Sequence, residues 1–140
     1  MLTKRDKRTF IRSDDFGETW TESPTLPTPP RSVAMYPDLR LGIITSDSCI
    51  YYSRDQFLTY KRIIIRPTGS PGSAWVLRYP IRVGGMLLLS ATSGRNSLVL
   101  ASRDLYHTVV PVFSVEDSAV RIAGYGDYLL VGAEFSGFLV

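Results

Sequence analysis

The sequence predicts an all-β fold assembled from repeated antiparallel sheets, on three observations. A motif keeps serine, aspartate and threonine at identical offsets in residues 13–20 (SDDFGETW), 53–60 (SRDQFLTY) and 102–109 (SRDLYHTV). Short runs rich in Val, Ile, Leu and Tyr surround each copy, punctuated by Pro, Gly, Asn, Asp and Ser. No window carries a helical period of useful length. The copies begin at residues 13, 53 and 102, a spacing in the range of a repeated supersecondary unit.

Taken in order, RTFIR (8–12) is the strand that enters the first motif, and the Pro-interrupted WTESPTLP (20–27) leaves it. SPTLPTPPRS (23–32) carries four prolines and reads as an extended connector. SVAMYP (32–37), LRLGIITS (39–46) and CIYY (49–52) then lead into the second motif, and YKRIIIRP (60–67) follows it. PTGSPGS (67–73) is a connecting loop. AWVLRYP (74–80), GMLLLSAT (85–92) and LVLA (98–101) lead into the third motif, and VVPVFSV (109–115) leaves it. AVRIAGY (119–125), DYLLVGAE (127–134) and GFLV (137–140) close the chain, with the glycines of GYGDY (124–128) turning between two of them.

Each motif joins two antiparallel strands, and its side chains suit a turn that holds its own backbone. Asp15 can accept hydrogen bonds from backbone N–H groups across the turn, and Ser13 and Thr19 can close further local bonds. Gly17 suits a position with positive φ. Trp20 opens the next strand with a large apolar face to pack beneath the turn. The second copy keeps Ser53, Asp55, Thr59 and Tyr60, and the third keeps Ser102, Asp104 and Thr108. Phe57 and Tyr106 replace the glycine, so those turns must differ or accept strain, and Val109 replaces the aromatic residue.

Composition narrows the function classes. The 140 residues are 44% hydrophobic and 21% charged, which describes a globular chain of one domain's size, spanning 1–140. The net charge of +3 is too small to argue for nucleic acid, although 13 of the 16 basic residues are arginine, suited to ion pairs. Cys49 is the only cysteine, which excludes an internal disulfide. His107 has no Cys or His companion at ligand spacing, so neither a metal nor another cofactor is expected. The basic start, with KRDKR at 4–8, lacks the apolar stretch of a secretory signal, and MLLL (86–89) is too short to span a bilayer. Synthesis in the cytoplasm with no membrane partner is the expectation.

The first motif resembles the Asp-box, or BNR repeat, at each defining position: Ser13, Asp15, Gly17, Thr19 and Trp20. That family includes sialidases, sortilin-type receptors, photosystem assembly factors, xyloglucan-type glycosidases and phage virion proteins. The resemblance implies a β-propeller of four-stranded antiparallel blades, with the box on the rim between the third and fourth strands of each blade. Counted that way, the chain enters at a third strand and supplies three blades' worth of strands, so a ring would need other blades or other chains. Two chains would give six blades, the sialidase count. Three box aspartates on three blades would not converge on one catalytic site, so the residues of the boxes are expected to be structural.

Three classes of function follow. A sialidase-like glycosidase would need an Arg-Ile-Pro stretch that this chain lacks, Tyr79-Pro80-Ile81-Arg82 having the wrong order. Glu116, Asp117, Asp127 and Glu134 are available acids, but nothing marks two of them as a catalytic pair. A glycan-binding module would use exposed aromatics drawn from Tyr51, Tyr52, Tyr79, Tyr125 and Tyr128, residues that equally suit a sheet core. The favoured expectation is a non-catalytic structural protein, of the kind found in phage tails and virions. It would form a homo-oligomer or join a larger assembly through the edge strands RTFIR and GFLV.

Overall fold

In a computed structural model of the chain, residues 8–67, 75–116, 120–133 and 138–139 are described. They form an all-β architecture of four antiparallel sheets. Sheet I pairs β1 (Ile11–Arg12) with β2 (Thr21–Glu22). Sheet II runs in chain order through β3 (Ser32–Tyr36), β4 (Leu41–Thr45), β5 (Cys49–Ser53) and β6 (Lys61–Ile64). Sheet III repeats that order with β7 (Val76–Val83), β8 (Met86–Ser93), β9 (Asn96–Ser102) and β10 (Val110–Val115). Sheet IV holds β11 (Val120–Tyr125), β12 (Tyr128–Ala133) and β13 (Phe138–Leu139). A 3-10 turn, Pro37–Leu39, joins β3 to β4. Among the described residues no helix is long and apolar enough to cross a membrane.

The strands fall where the alternation of apolar runs and turn formers places them. Several runs shorten: RTFIR keeps only Ile11–Arg12 as strand, YKRIIIRP only Lys61–Ile64, and WTESPTLP only Thr21–Glu22. Proline explains the shortening of WTESPTLP, because it cannot donate to a ladder. The first hairpin nonetheless continues as separate bonds, from Ser23 N–H to the Phe10 carbonyl (2.9 Å) and from Leu26 N–H to the Arg8 carbonyl (2.8 Å). The loop at 68–74, the basic residues 4–7, and Asp117 and Glu134 lie outside the described residues.

The middle strands of sheets II and III bury both faces, as β4 shows over its whole length. Alternate side chains point to opposite sides, so each sheet feeds two cores. Ile44, Cys49 and Tyr51 of sheet II meet Phe10 and Leu26 on the sheet I side. Leu41, Ile43 and Ile50 turn the other way and meet Leu77, Leu87, Leu89 and Leu100 of sheet III. Leu88, Val99 and Ala101 of sheet III face Val120, Ile122 and Val131 of sheet IV. The sheets therefore stack in chain order, each covering the one before it.

The first strands of successive sheets are neighbours: β7 contacts both β3 and β11. Main-chain bonds tie sheet III to the β4–β5 turn, through Leu77 N–H to the Ser46 carbonyl (3.1 Å) and Ser48 N–H to the Trp75 carbonyl (2.7 Å). A bulge between Arg78 and Ile81 in the β7–β8 ladder carries Tyr79, whose φ is 56° and whose N–H donates to Ser32 Oγ of β3. An Arg82–Asp38 ion pair links β7 to the β3–β4 turn, and Gly84 N–H of the β7–β8 turn reaches the Gly126 carbonyl (3.3 Å) of the β11–β12 turn.

The proline-rich connector is held rather than free. Leu26 is buried to 1% exposure, and Thr28 Oγ1 bonds with both Ser46 Oγ (2.6 Å) and Tyr51 OH (2.7 Å). Ser46 Oγ in turn donates to the Pro29 carbonyl (2.6 Å). Leu26→Ala is expected to lower stability by about 2–5 kcal/mol, the usual cost of emptying a buried leucine site. Urea unfolding checks this, and a loss under about 1 kcal/mol would mean that the connector contributes little to the sheet I–sheet II core.

Candidate functional site: three repeated turns and the grooves beside them

The three motifs occupy equivalent hairpins, β1–β2, β5–β6 and β9–β10, and close by the same hydrogen bonds. In the first, Ser13 Oγ donates to Asp15 Oδ1 (2.8 Å) and accepts from Gly17 N–H (2.7 Å). Asp15 Oδ1 also accepts from Thr19 N–H (2.8 Å), and its Oδ2 accepts from the Thr19 hydroxyl (2.5 Å). In the second, Ser53 Oγ donates to Asp55 Oδ1 (2.7 Å), which accepts from Thr59 N–H (3.0 Å). In the third, Ser102 Oγ donates to Asp104 Oδ1 (2.8 Å), which accepts from Thr108 N–H (2.8 Å). The Thr59 and Thr108 hydroxyls donate to the second carboxylate oxygens.

Glycine is absent from the second and third turns, yet their backbones match the first. φ is 58° and 91° at Phe16 and Gly17, 60° and 62° at Gln56 and Phe57, and 58° and 66° at Leu105 and Tyr106. The two later turns thus accept the left-handed backbone, at roughly 1 kcal/mol or more per residue. Burial offsets it. Phe57 is 6% exposed, edge-on to Phe10 with ring centroids 5.4 Å apart, and Tyr106 is fully buried with its hydroxyl donating to the Leu88 carbonyl (2.8 Å). Gly42 makes the seat for Phe57: a Cβ there would lie 2.5 Å from Phe57 Cε2. Gly17 instead lies under Trp20, whose Nε1 donates to the Gly17 carbonyl (3.1 Å). Sequence reasoning missed this use of the position, although two aromatic residues at one offset were a signal for it.

All three carboxylates are held low, to about 2 against an ordinary 3.8. The Thr19 hydroxyl is the leading cause at Asp15, the Ser53 hydroxyl at Asp55 and the Thr108 hydroxyl at Asp104. Each side chain donates to, and so favours, the charged form. A carboxylate of this kind stays ionised at neutral pH and has both oxygens occupied by its own turn, which suits it poorly to general acid or base work. Each sits on a different sheet. Glu116 follows β10 and Asp127 lies in the β11–β12 turn. Among the described residues no group of three or more His, Cys, Asp and Glu could hold a metal ion.

The tyrosines separate by burial. Tyr51 is fully buried and edge-on to Tyr60, Tyr52 and Tyr79 are half-buried, and Tyr125 and Tyr128 are exposed. Two open grooves flank the boxes in equivalent places. One, of about 520 Å³, lies between β5–β6 and the third turn, with Tyr52, Tyr60, Lys61, Leu105 and His107 on its walls. The other, of about 390 Å³, lies between β1–β2 and the second turn, beside Phe10, Arg12, Gln56 and Leu58. Arg12 Nη1 bridges it by donating to the Gln56 carbonyl (2.7 Å). No family model matches the chain, and no curated protein or solved structure matches it.

Two outcomes are expected of the turns. Gln56→Gly relieves a left-handed residue that is exposed and should raise stability by up to about 1 kcal/mol, whereas Phe57→Gly, at nearly the same φ, should cost about 3 kcal/mol or more through its lost burial. Thermal melts of the pair decide it; a loss in both would mean that the left-handed backbone carries no strain. Because the folded carboxylates titrate below their unfolded value, the unfolded chain binds more protons between pH 4 and pH 2. Their stabilisation is therefore complete above about pH 4 and lost as pH falls toward 2. Carboxyl-carbon NMR titration should find Asp15, Asp55 and Asp104 near 2, and Ser53→Ala should raise Asp55 more than the other two.

Proposed function

We propose that this chain is a non-catalytic structural protein built from propeller blades, serving in a larger assembly such as a virion. The observation that carries the reading is that the three most distinctive acids of the sequence are consumed in closing their own turns. Two further features support blades. Sheets II and III are each a four-stranded meander with the box between the third and fourth strands, and their first strands lie side by side. Sheet I corresponds to a third and fourth strand, and sheet IV to a first, second and third. A structural role of the kind Asp-box proteins have in virions suits this arrangement.

A second reading, a glycan-binding blade, is favoured by the larger groove. Tyr52 and Tyr60 offer faces for stacking on sugar rings, and Lys61 offers a cation for an acidic sugar. A fluorogenic sialoside assay and a glycan array separate the readings. No turnover and no binding are expected. Turnover above the buffer rate would overturn the structural reading in favour of an enzyme, and glycan binding lost in Tyr52→Ala or Lys61→Ala would overturn it in favour of the binder.

A further inference from the structure

We infer that the open face of sheet IV docks the first box hairpin of a second copy of this chain. The inference rests on the blade reading above and names its partner. It comes from comparing the same positions in three inner hairpins.

Tyr36 and Leu41 pair across the β3–β4 turn, Val83 and Met86 across the β7–β8 turn, and Tyr125 and Tyr128 across the β11–β12 turn. Two residues beyond each second partner stand Ile43, Leu88 and Leu130. In sheets II and III these positions are covered by the following sheet: Tyr36 is 9% exposed, Ile43 0%, Val83 7% and Leu88 2%. In sheet IV the equivalents stand in solvent, Tyr125 at 78%, Tyr128 at 72% and Leu130 at 52%. Three large apolar side chains on one sheet face form a contiguous patch of the kind that marks an interface.

The chain also carries the matching surface. Where the later of two stacked sheets carries a box, as sheets II and III do, its turn aims aromatic side chains at the earlier sheet. Phe57 of the second box packs on Phe10 of sheet I, and Tyr106 of the third joins Tyr36 and Leu41 of sheet II. Glycine stands at that offset in the first box, and its aromatics are Phe16 and Trp20, at the offsets of Leu105 and of Tyr60, which pack toward the earlier sheet; Phe16 is fully exposed and Trp20 half-exposed. Val33 and Met35 of β3, beside that end of the stack, are exposed as well, at 41% and 55%. Among the described residues no sheet covers this face of sheet IV, and none lies against the first box. A second copy supplies both through one head-to-tail contact, repeated until it closes a ring.

The test is the mass of the full chain by light scattering after size exclusion, for the wild type and two surface variants. Wild type is expected at two copies or more of the 15.6 kDa chain. Tyr128→Arg with Leu130→Asp blocks one side of the contact, and Phe16→Ser with Trp20→Ser blocks the other. Each variant alone is expected to be a monomer, and an equimolar mixture is expected to form a two-chain species, because each retains the side that its partner needs. A wild type that stays at the mass of one chain, variants that keep the wild-type mass, or a mixture that does not associate would each overturn the inference. Should either variant unfold, hydroxyl-radical footprinting of the wild type decides instead: protection of Tyr125 and Tyr128 as concentration rises supports the contact, and unchanged reactivity overturns it. A monomer leaves the structural reading to the sialoside and glycan assays, so the two failures remain distinct.

Discussion

A sheet with apolar side chains on both faces leaves one of them in water until it is covered twice, and sheets II and III are such sheets. The demand orders the whole stack. Ile43 and Ile44 are adjacent in sequence, fully buried, and committed to different cores. Sheet II cannot satisfy one without sheet III and the other without sheet I. The connectors, the inner-turn contacts and the bulge at Tyr79 all bring the next sheet's first strand against its predecessor. Hydrophobic burial supplies the driving force, while the polar contacts between sheets set the alignment.

The box turns meet the same demand from the hairpins that end the sheets. A hairpin of this shape needs two left-handed residues, and glycine is the usual answer. The second and third boxes answer with Phe57 and Tyr106, which carry backbone strain but fill space between sheets. The serine and aspartate hydrogen bonds keep the backbone in that shape whatever the side chain is. That independence lets one turn serve as a surface loop in the first box and as a core plug in the other two.

Much of this architecture was legible in the sequence. Strand identity followed from Val, Ile and Leu runs bounded by turn formers, and the hairpins followed from three recurrences of serine, aspartate and threonine at one spacing. The hydrogen bonds of Asp15, Asp55 and Asp104 were anticipated from the side-chain chemistry alone. The fate of the glycine position was not, because the cost of positive φ is local while the gain from burying Phe57 depends on Phe10 and Gly42, distant in sequence. Tyrosines were ambiguous for a related reason: Tyr36 and Tyr125 hold the same hairpin position, and only the presence of a following sheet separates the buried one from the exposed one. The equivalent grooves beside the boxes were invisible, since each is made by strands of one repeat and the turn of the next.

The nearest-neighbour stacking has a consequence for how the chain acquires its structure. Bonds that join adjacent sheets span modest lengths of chain, 44 residues from Arg12 to Gln56 and 47 from Tyr79 to Ser32. Sheet III can therefore settle on sheet II without waiting for sheet IV, and each increment of synthesis adds a layer to a surface already formed. Stability in such a stack is close to a sum over adjacent pairs. Opening then begins at the layers covered on one side only, and the middle sheets open last.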